Sequence, residues 1–228
     1  MQLLVSPSTI DEARHSLAAD IIDVKQPSEG SLGANFPWVI REIKTLSDKP
    51  LSAAIGDFDY KPGGAALAAY GAACAGADYV KIGLAFQGHD KARDVIQAVV
   101  KAVKDEFPQK YVVIAAYSDY KRMQSISPFE MAPIAAECGA DFVMVDTGIK
   151  DCQSTFVFMN EEVLREFTDA NEKLGLGTAL AGALKFEDID ALKRINPDII
   201  GVRGMVCGGD RNATIREDLI KTALAMIR

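Results

Sequence analysis

Short apolar runs alternate with longer stretches of mixed polarity along the whole chain. The runs are Leu3–Ser6, Asp20–Lys25, Leu51–Gly56, Asp78–Gly83, Tyr111–Ala116, Asp141–Asp146, Gly177–Gly182 and Asp198–Gly204. Each is too short for a buried helix and reads as a strand. The stretches between them carry helical spacing over Ile10–Ala19, Trp38–Leu46, Gly63–Ala75, Asp90–Phe107, Pro128–Cys138, Asn160–Leu174 and Phe186–Ile195. A last helix, capped by Arg211 or Asn212, runs to the end. Pro133 inside the fifth helix predicts a kink or a late start, and a turn is expected around Asp57 to Pro62.

Eight strands alternating with eight helices predict an α/β fold of right-handed crossover units, a single (β/α)8 TIM barrel over residues 1–228. A doubly wound open sheet is the rival. An internal repeat favours the barrel. The second, fourth, sixth and eighth strands open on Asp20, Asp78, Asp141 and Asp198, with near-equal spacing of two βα units. The aspartate itself is read as marking the helix-to-strand corner.

Strand side chains alternate faces. Three residues beyond each aspartate stand Asp23, Lys81, Met144 and Gly201; five beyond stand Lys25, Gly83, Asp146 and Arg203. Both offsets are odd, so these side chains share one face. Alone, Asp23 and Lys25 read equally as a strand-end ion pair or as chemistry. Together, Asp23, Lys25, Lys81, Asp146 and Arg203 are expected in one barrel mouth, where charge is costly unless paired or used. A lysine beside another cation has its neutral amine favoured and can add to a carbonyl as a Schiff base. A second lysine or an aspartate can then move protons. Lys150, beyond the sixth strand, is a substrate ligand or a solvated loop lysine.

Loops after the seventh and eighth strands of such barrels often hold phosphate. Here they carry Gly182 and Ala183, then Arg203, Gly204, Gly208 and Gly209, which can offer backbone N–H groups to an anion or serve only as turns. The segment Gln26–Asn35 is a covering loop or a plain turn.

Composition narrows the partners. Hydrophobic residues form 49% of the 228, charged residues 25%, and mean hydropathy is +0.06, a soluble globular profile. A net charge of −7 argues against nucleic acid or an anionic membrane as partner. Cys74, Cys138, Cys152 and Cys207 form no C-x-x-C pair, and His15 and His89 lie far apart, so no metal site is expected. The amino terminus lacks a signal-peptide pattern, and no apolar run approaches the ~20 residues of a membrane span. A cytoplasmic location is expected.

The runs Asp20–Lys25, Pro27–Trp38, Gly76–Gly83 and Gly201–Gly204 with Gly208–Asn212 resemble the (5-formylfuran-3-yl)methyl phosphate synthases of methanofuran biosynthesis. The resemblance covers essentially the whole chain and implies the same barrel. It further implies a cofactor-free lyase that condenses two glyceraldehyde 3-phosphate molecules into the furan aldehyde phosphate, releasing one phosphate and two waters. By the same resemblance Lys25 is the Schiff-base lysine and Lys81 the proton acceptor, with Asp23, Asp146 and Lys150 around them. The expected partners are a phosphorylated triose and further copies of the chain in a homo-oligomer. A Schiff-base aldolase acting on a sugar phosphate, and a non-catalytic sugar-phosphate-binding barrel, are the competing readings.

Overall fold

The computed structural model describes residues 1–228. Eight parallel strands close into a barrel in chain order: β1 Gln2–Val5, β2 Ile21–Val24, β3 Leu51–Phe58, β4 Tyr79–Leu84, β5 Tyr111–Tyr117, β6 Phe142–Asp146, β7 Gly177–Leu180 and β8 Ile199–Val202. Closure comes from β1 pairing with β8, Leu4 opposite Gly201. The helices are α1 Ile10–His15, α2 Pro37–Lys44, α3 Pro62–Cys74, α4 His89–Lys104, α5 Tyr120–Met123, α6 Pro128–Glu137, α7 Thr155–Phe158, α8 Glu161–Lys173, α9 Ile189–Ile195 and α10 Glu217–Ile227.

Apolar side chains pack in two places. The larger cluster lies between strands and helices, where α4 contributes Val95, Ile96, Val99 and Val103, all fully buried. Each such side chain contributes on the order of 2 kcal/mol relative to exposure. The smaller cluster fills the barrel itself, with Leu4, Ile21, Ala54, Val113, Ala115, Met144, Ala179 and Ile199. Small residues are frequent in it, which leaves room for the long polar side chains of the even strands.

The repeated aspartates have one structural task, performed four times. Asp20 accepts from the Leu3 N–H at 2.9 Å, Asp78 from Leu51 at 2.8 Å, Asp141 from Val112 at 2.6 Å and Asp198 from Thr178 at 2.7 Å. Each carboxylate pins its strand to the preceding odd strand. Lys44, Lys104 and Arg228 in turn hold Asp78, Asp141 and Asp20. The sequence repeat is therefore a device for fixing register at the bottom of the barrel, so that every second inward residue above it falls at a matching depth.

Several boundaries differ from the sequence expectation. α6 runs unbroken through Pro133, starting at a capping box in which Ser127 and Glu130 satisfy each other's backbone N–H groups. α10 begins at Glu217, because Gly204–Cys207 forms a 3-10 turn and residues 208–216 continue as loop. β3 extends through Asp57 to Phe58, and β5 through Tyr117, where a turn and a strand end were expected.

Candidate active site

Three inward layers stack on the even strands. Ile21, Tyr79, Phe142 and Ile199 form the bottom, with the Tyr79 ring stacked on Tyr111 and edge-on to Phe142. Asp23, Lys81, Met144 and Gly201 form the middle; Lys25, Gly83, Asp146 and Arg203 lie at the C-terminal ends.

In the middle layer Lys81 Nζ meets both oxygens of Asp23, at 2.8 and 2.9 Å, and the Ser6 hydroxyl donates to Asp23 Oδ2 at 2.9 Å. Both residues of the ion pair are buried. Burial alone would raise the Asp23 carboxyl; attraction to Lys81 and Lys25 outweighs it and holds the group below the ordinary carboxylate value. A second ion pair stands higher, Lys150 Nζ to Asp146 Oδ1 at 2.7 Å. Lys150 also donates to Thr147 Oγ1 at 3.2 Å. Asp146 is held down to about 2 against its burial, by Lys150 first and then Lys25.

Lys25 lies between these pairs and belongs to neither. Its amine makes no hydrogen bond or ion pair, and the residue is 8% exposed. Burial lowers its pKa to about 8; Asp146 pulls upward, Lys81 adds to the lowering. Near pH 7 roughly a tenth of it is therefore the neutral, nucleophilic amine, far more than for an ordinary lysine.

A cavity of about 640 Å³ opens over β6 to β8 and β1. Lys25, Asp146, Lys150, Gly182, Ala183, Arg203, Gly204, Gly208 and Gly209 line it. Asp23 and Lys81 do not; they lie beneath its floor. Arg203 faces the cavity but is not a free cation. Its guanidinium grips Glu12 at 2.8 and 3.0 Å, the Ser6 carbonyl at 2.8 Å and the Arg211 carbonyl at 2.6 Å. Its donors are largely used up in these contacts. Arg211, also on the cavity wall, has no such ion pair. Gly182 and Ala183 both have positive φ, 95° and 49°, and a Cβ on Gly182 would lie 2.3 Å from Thr155 Oγ1 and 2.8 Å from the Thr147 nitrogen. That turn admits no side chain at 182.

The other half of the mouth is covered. The segment after β2 folds over the barrel: Ser31 Oγ donates to the Thr147 carbonyl at 2.9 Å, and Leu32 N–H to Asp57 Oδ2 at 3.0 Å. Asp57 also accepts from Tyr117 Oη. Burial and the adjacent carboxylate raise the Tyr117 phenol well above its ordinary value, so it remains a donor. Asp119 accepts from the Gly148 and Ile149 N–H groups at 2.6 and 3.0 Å and fixes the loop that carries Lys150.

Ser6, Asp57, Tyr117, Asp119 and Arg211 were not among the site residues read from the sequence. Ser6 and Tyr117 were within reach of it, since each lies at the C-terminal end of an odd strand, where the alternation can be counted. Asp57 was not. The register of β3 against β4 shifts between Ala54 and Asp57, and Gly56 has φ 133°. This bulge reverses the face that simple alternation assigns. No three His, Cys, Asp or Glu side chains converge as metal ligands, and no helix is long and apolar enough to cross a membrane.

Comparison with known proteins gives a consistent picture. A family model described as 4-HFC-P synthase matches residues 3–224. The (5-formylfuran-3-yl)methyl phosphate synthase of Methanosarcina mazei is 58% identical over 99% of this chain and 98% of its own length. The Archaeoglobus fulgidus protein of the same name is 50% identical over 96% of each chain. Among solved structures, a 3-hexulose-6-phosphate synthase superposes with a TM-score of 0.70 over 100% of both chains, at 22% identity. KGPDC from Streptococcus mutans gives 0.68, over 99% of this chain and 96% of its own, at 14% identity. These two likenesses establish the barrel fold and nothing finer.

Proposed function

The chain belongs to the 4-HFC-P synthase family, and from that premise we propose that it condenses two molecules of glyceraldehyde 3-phosphate into (5-formylfuran-3-yl)methyl phosphate through a Schiff base on Lys25. The observation that carries this reading is the state of Lys25: a buried, unpaired amine with its pKa near 8, open to one cavity. The overall balance is two trioses in, one furan phosphate, one inorganic phosphate and two waters out.

One triose, after isomerisation to its ketone form, adds to the neutral Lys25 amine and loses water as the iminium forms. The iminium acidifies the neighbouring C–H, and loss of that proton gives the enamine. That carbon attacks the aldehyde of the second triose. β-Elimination of phosphate, ring closure, dehydration and hydrolysis from Lys25 complete the sequence. Lys81 is the proposed proton acceptor. Its amine is held against both oxygens of Asp23, so proton transfer through Lys81 passes along that pair. Lys150 lies on the cavity side and suits proton transfer to the departing oxygens, its amine oriented by the ionised Asp146. Gly182, Ala183, Gly204, Gly208 and Gly209 supply backbone around one phosphate. Arg211 is better placed than Arg203 to add a cation, because Arg203 is already committed to Glu12.

Incubation with glyceraldehyde 3-phosphate alone is expected to release inorganic phosphate with a furan absorbance, and borohydride added during turnover to leave a reduced adduct on the Lys25 peptide. A Schiff-base aldolase would give the adduct without phosphate release. Full turnover in Lys25→Ala would sink the covalent mechanism.

A further inference from the structure

Lys81 does not line the cavity and is buried. Lys81 and Gly83 lie on the same face of β4, two residues apart, with Gly83 one layer nearer the mouth. A Cβ at Gly83 would come 2.1 Å from Tyr117 Oη, 2.9 Å from Asp57 Oδ1 and 2.9 Å from Leu32 Cδ1. Leu32, Asp57 and Tyr117 thus converge on this one backbone position. Leu32 is fully buried and belongs to the barrel's inner cluster, although it comes from the loop after β2.

That loop is held down by polar contacts at the ends of β3 and β6, the first braced by Tyr117 of β5. Asp57 receives the Leu32 N–H on one oxygen and the Tyr117 hydroxyl on the other. A Cβ at Gly30, where φ is 139°, would lie 2.3 Å from the same carboxylate. Ser31 reaches across the mouth to Thr147. Below this knot, Lys81 and Asp23 have essentially no exposure, while Lys25 stays open to the cavity.

We propose that Asp57 and Tyr117 are positioning residues that seat Leu32 as a partition over Lys81, so that the Lys81–Asp23 pair exchanges protons only with a group that reaches it past Lys25 and not with bulk water. The proposal deepens the Schiff-base reading and rests on it, since it assigns Lys81 a dry proton store beside the covalent centre. The chemistry of that seal is a charge-assisted hydrogen bond from a phenol to a carboxylate, which in turn fixes a loop backbone.

Two readouts test it, one of which needs no catalysis. Brief reductive methylation of the substrate-free protein, followed by peptide mass analysis, is expected to modify Lys25 early and leave Lys81 untouched. In Tyr117→Phe and in Leu32→Ala, Lys81 methylation should rise roughly tenfold or more, the scale set by losing a charge-assisted bond. Buried Cys207 should remain as slow towards a thiol reagent as in the parent, which shows the barrel intact. During turnover in deuterated water, Tyr117→Phe should still give the borohydride adduct and an unchanged KM, with lower kcat and more deuterium in recovered triose. Rapid methylation of Lys81 in the parent, or none in either variant with Cys207 protected, would overturn the partition. So would a Tyr117→Phe enzyme with parental kcat and deuterium content. Absence of any Lys25 adduct in the parent would instead refute the Schiff-base reading, and the methylation result would stand apart from it.

Discussion

Replacing Lys25 by methionine is expected to make the protein more stable while abolishing its turnover. The side chains have similar length, and methionine adapts to irregular surroundings. The two carboxylates near Lys25 keep their own partners, Lys81 and Lys150. What disappears is a charge that its surroundings disfavour, because burial lowers its pKa from 10.5 to about 8. At about 1.4 kcal/mol per pKa unit, that difference corresponds to about 3 kcal/mol while Lys25 is protonated in both folded and unfolded chains. For a chain of this size the gain is roughly 6–12 °C in Tm. The sign of the pH dependence is fixed by linkage. Between pH 8 and 10.5 the unfolded chain binds more protons at this site, so the parent gains stability as pH rises through that window. The methionine variant has no such gain. The assay is urea unfolding of both proteins at neutral pH and at the upper end of the window. The variant should be ahead at neutral pH, and the gap should close as pH rises. A variant less stable at neutral pH, or a gap that does not change with pH, would refute the claim that Lys25 is an electrostatically disfavoured amine.

Turnover should rise with pH through a limb near 8, as Lys25 loses its proton, and a limb at the ordinary lysine value instead would show that burial does not govern the nucleophile. Asp23→Asn should destabilise by about 3–5 kcal/mol, because it leaves Lys81 buried without its counter-charge; chemical denaturation measures this, and Asp23→Asn combined with Lys81→Met should recover much of the loss. Asp119→Ala removes the acceptor of the Gly148 and Ile149 N–H groups, so KM for the triose should rise severalfold, about 1–2 kcal/mol of lost loop order, with the Lys25 adduct still forming; unchanged KM would show that the loop holds its shape without Asp119.

The fold was legible because two periodic signals coincided. Alternating strand and helix patterns indicated crossover units, and the recurring aspartates set a repeat of two units. The structure gives that repeat a cause: each aspartate binds a backbone N–H of the neighbouring strand, which locks depth as well as order. Equal depth is why counting three and five residues along the sequence locates facing side chains. The same counting failed where the backbone departed from a regular pleat. The irregular step between Ala54 and Asp57 turned Asp57 into the mouth, and no composition signal marks a bulge beyond the Gly56 that permits it. The loop after β2 was ambiguous for another reason. Its closure depends on contacts to Asp57 and Thr147, 25 and 116 residues away, which local turn chemistry cannot reveal.

Pairing was the least legible property and the one that decides the chemistry. Strand alternation brought Lys25, Lys81, Asp23, Asp146 and Arg203 to one mouth, with Lys150 just beyond. It did not say which cation would lack a counter-charge. Arg203 leaves the contest by binding Glu12, far away in sequence. Lys81 takes Asp23 in the middle layer, and Lys150, four residues beyond Asp146, takes that carboxylate. Asp57 is occupied by Tyr117 and the Leu32 N–H, the other two carboxylates hold Lys81 and Lys150, and the amine left without a partner is Lys25. Burial without a partner is the condition under which a lysine gives up its proton most readily. The two ion pairs therefore do more than neutralise a costly mouth: by satisfying each other they leave Lys25 as the one buried lysine there without a counter-charge, the state that the proposed Schiff base requires.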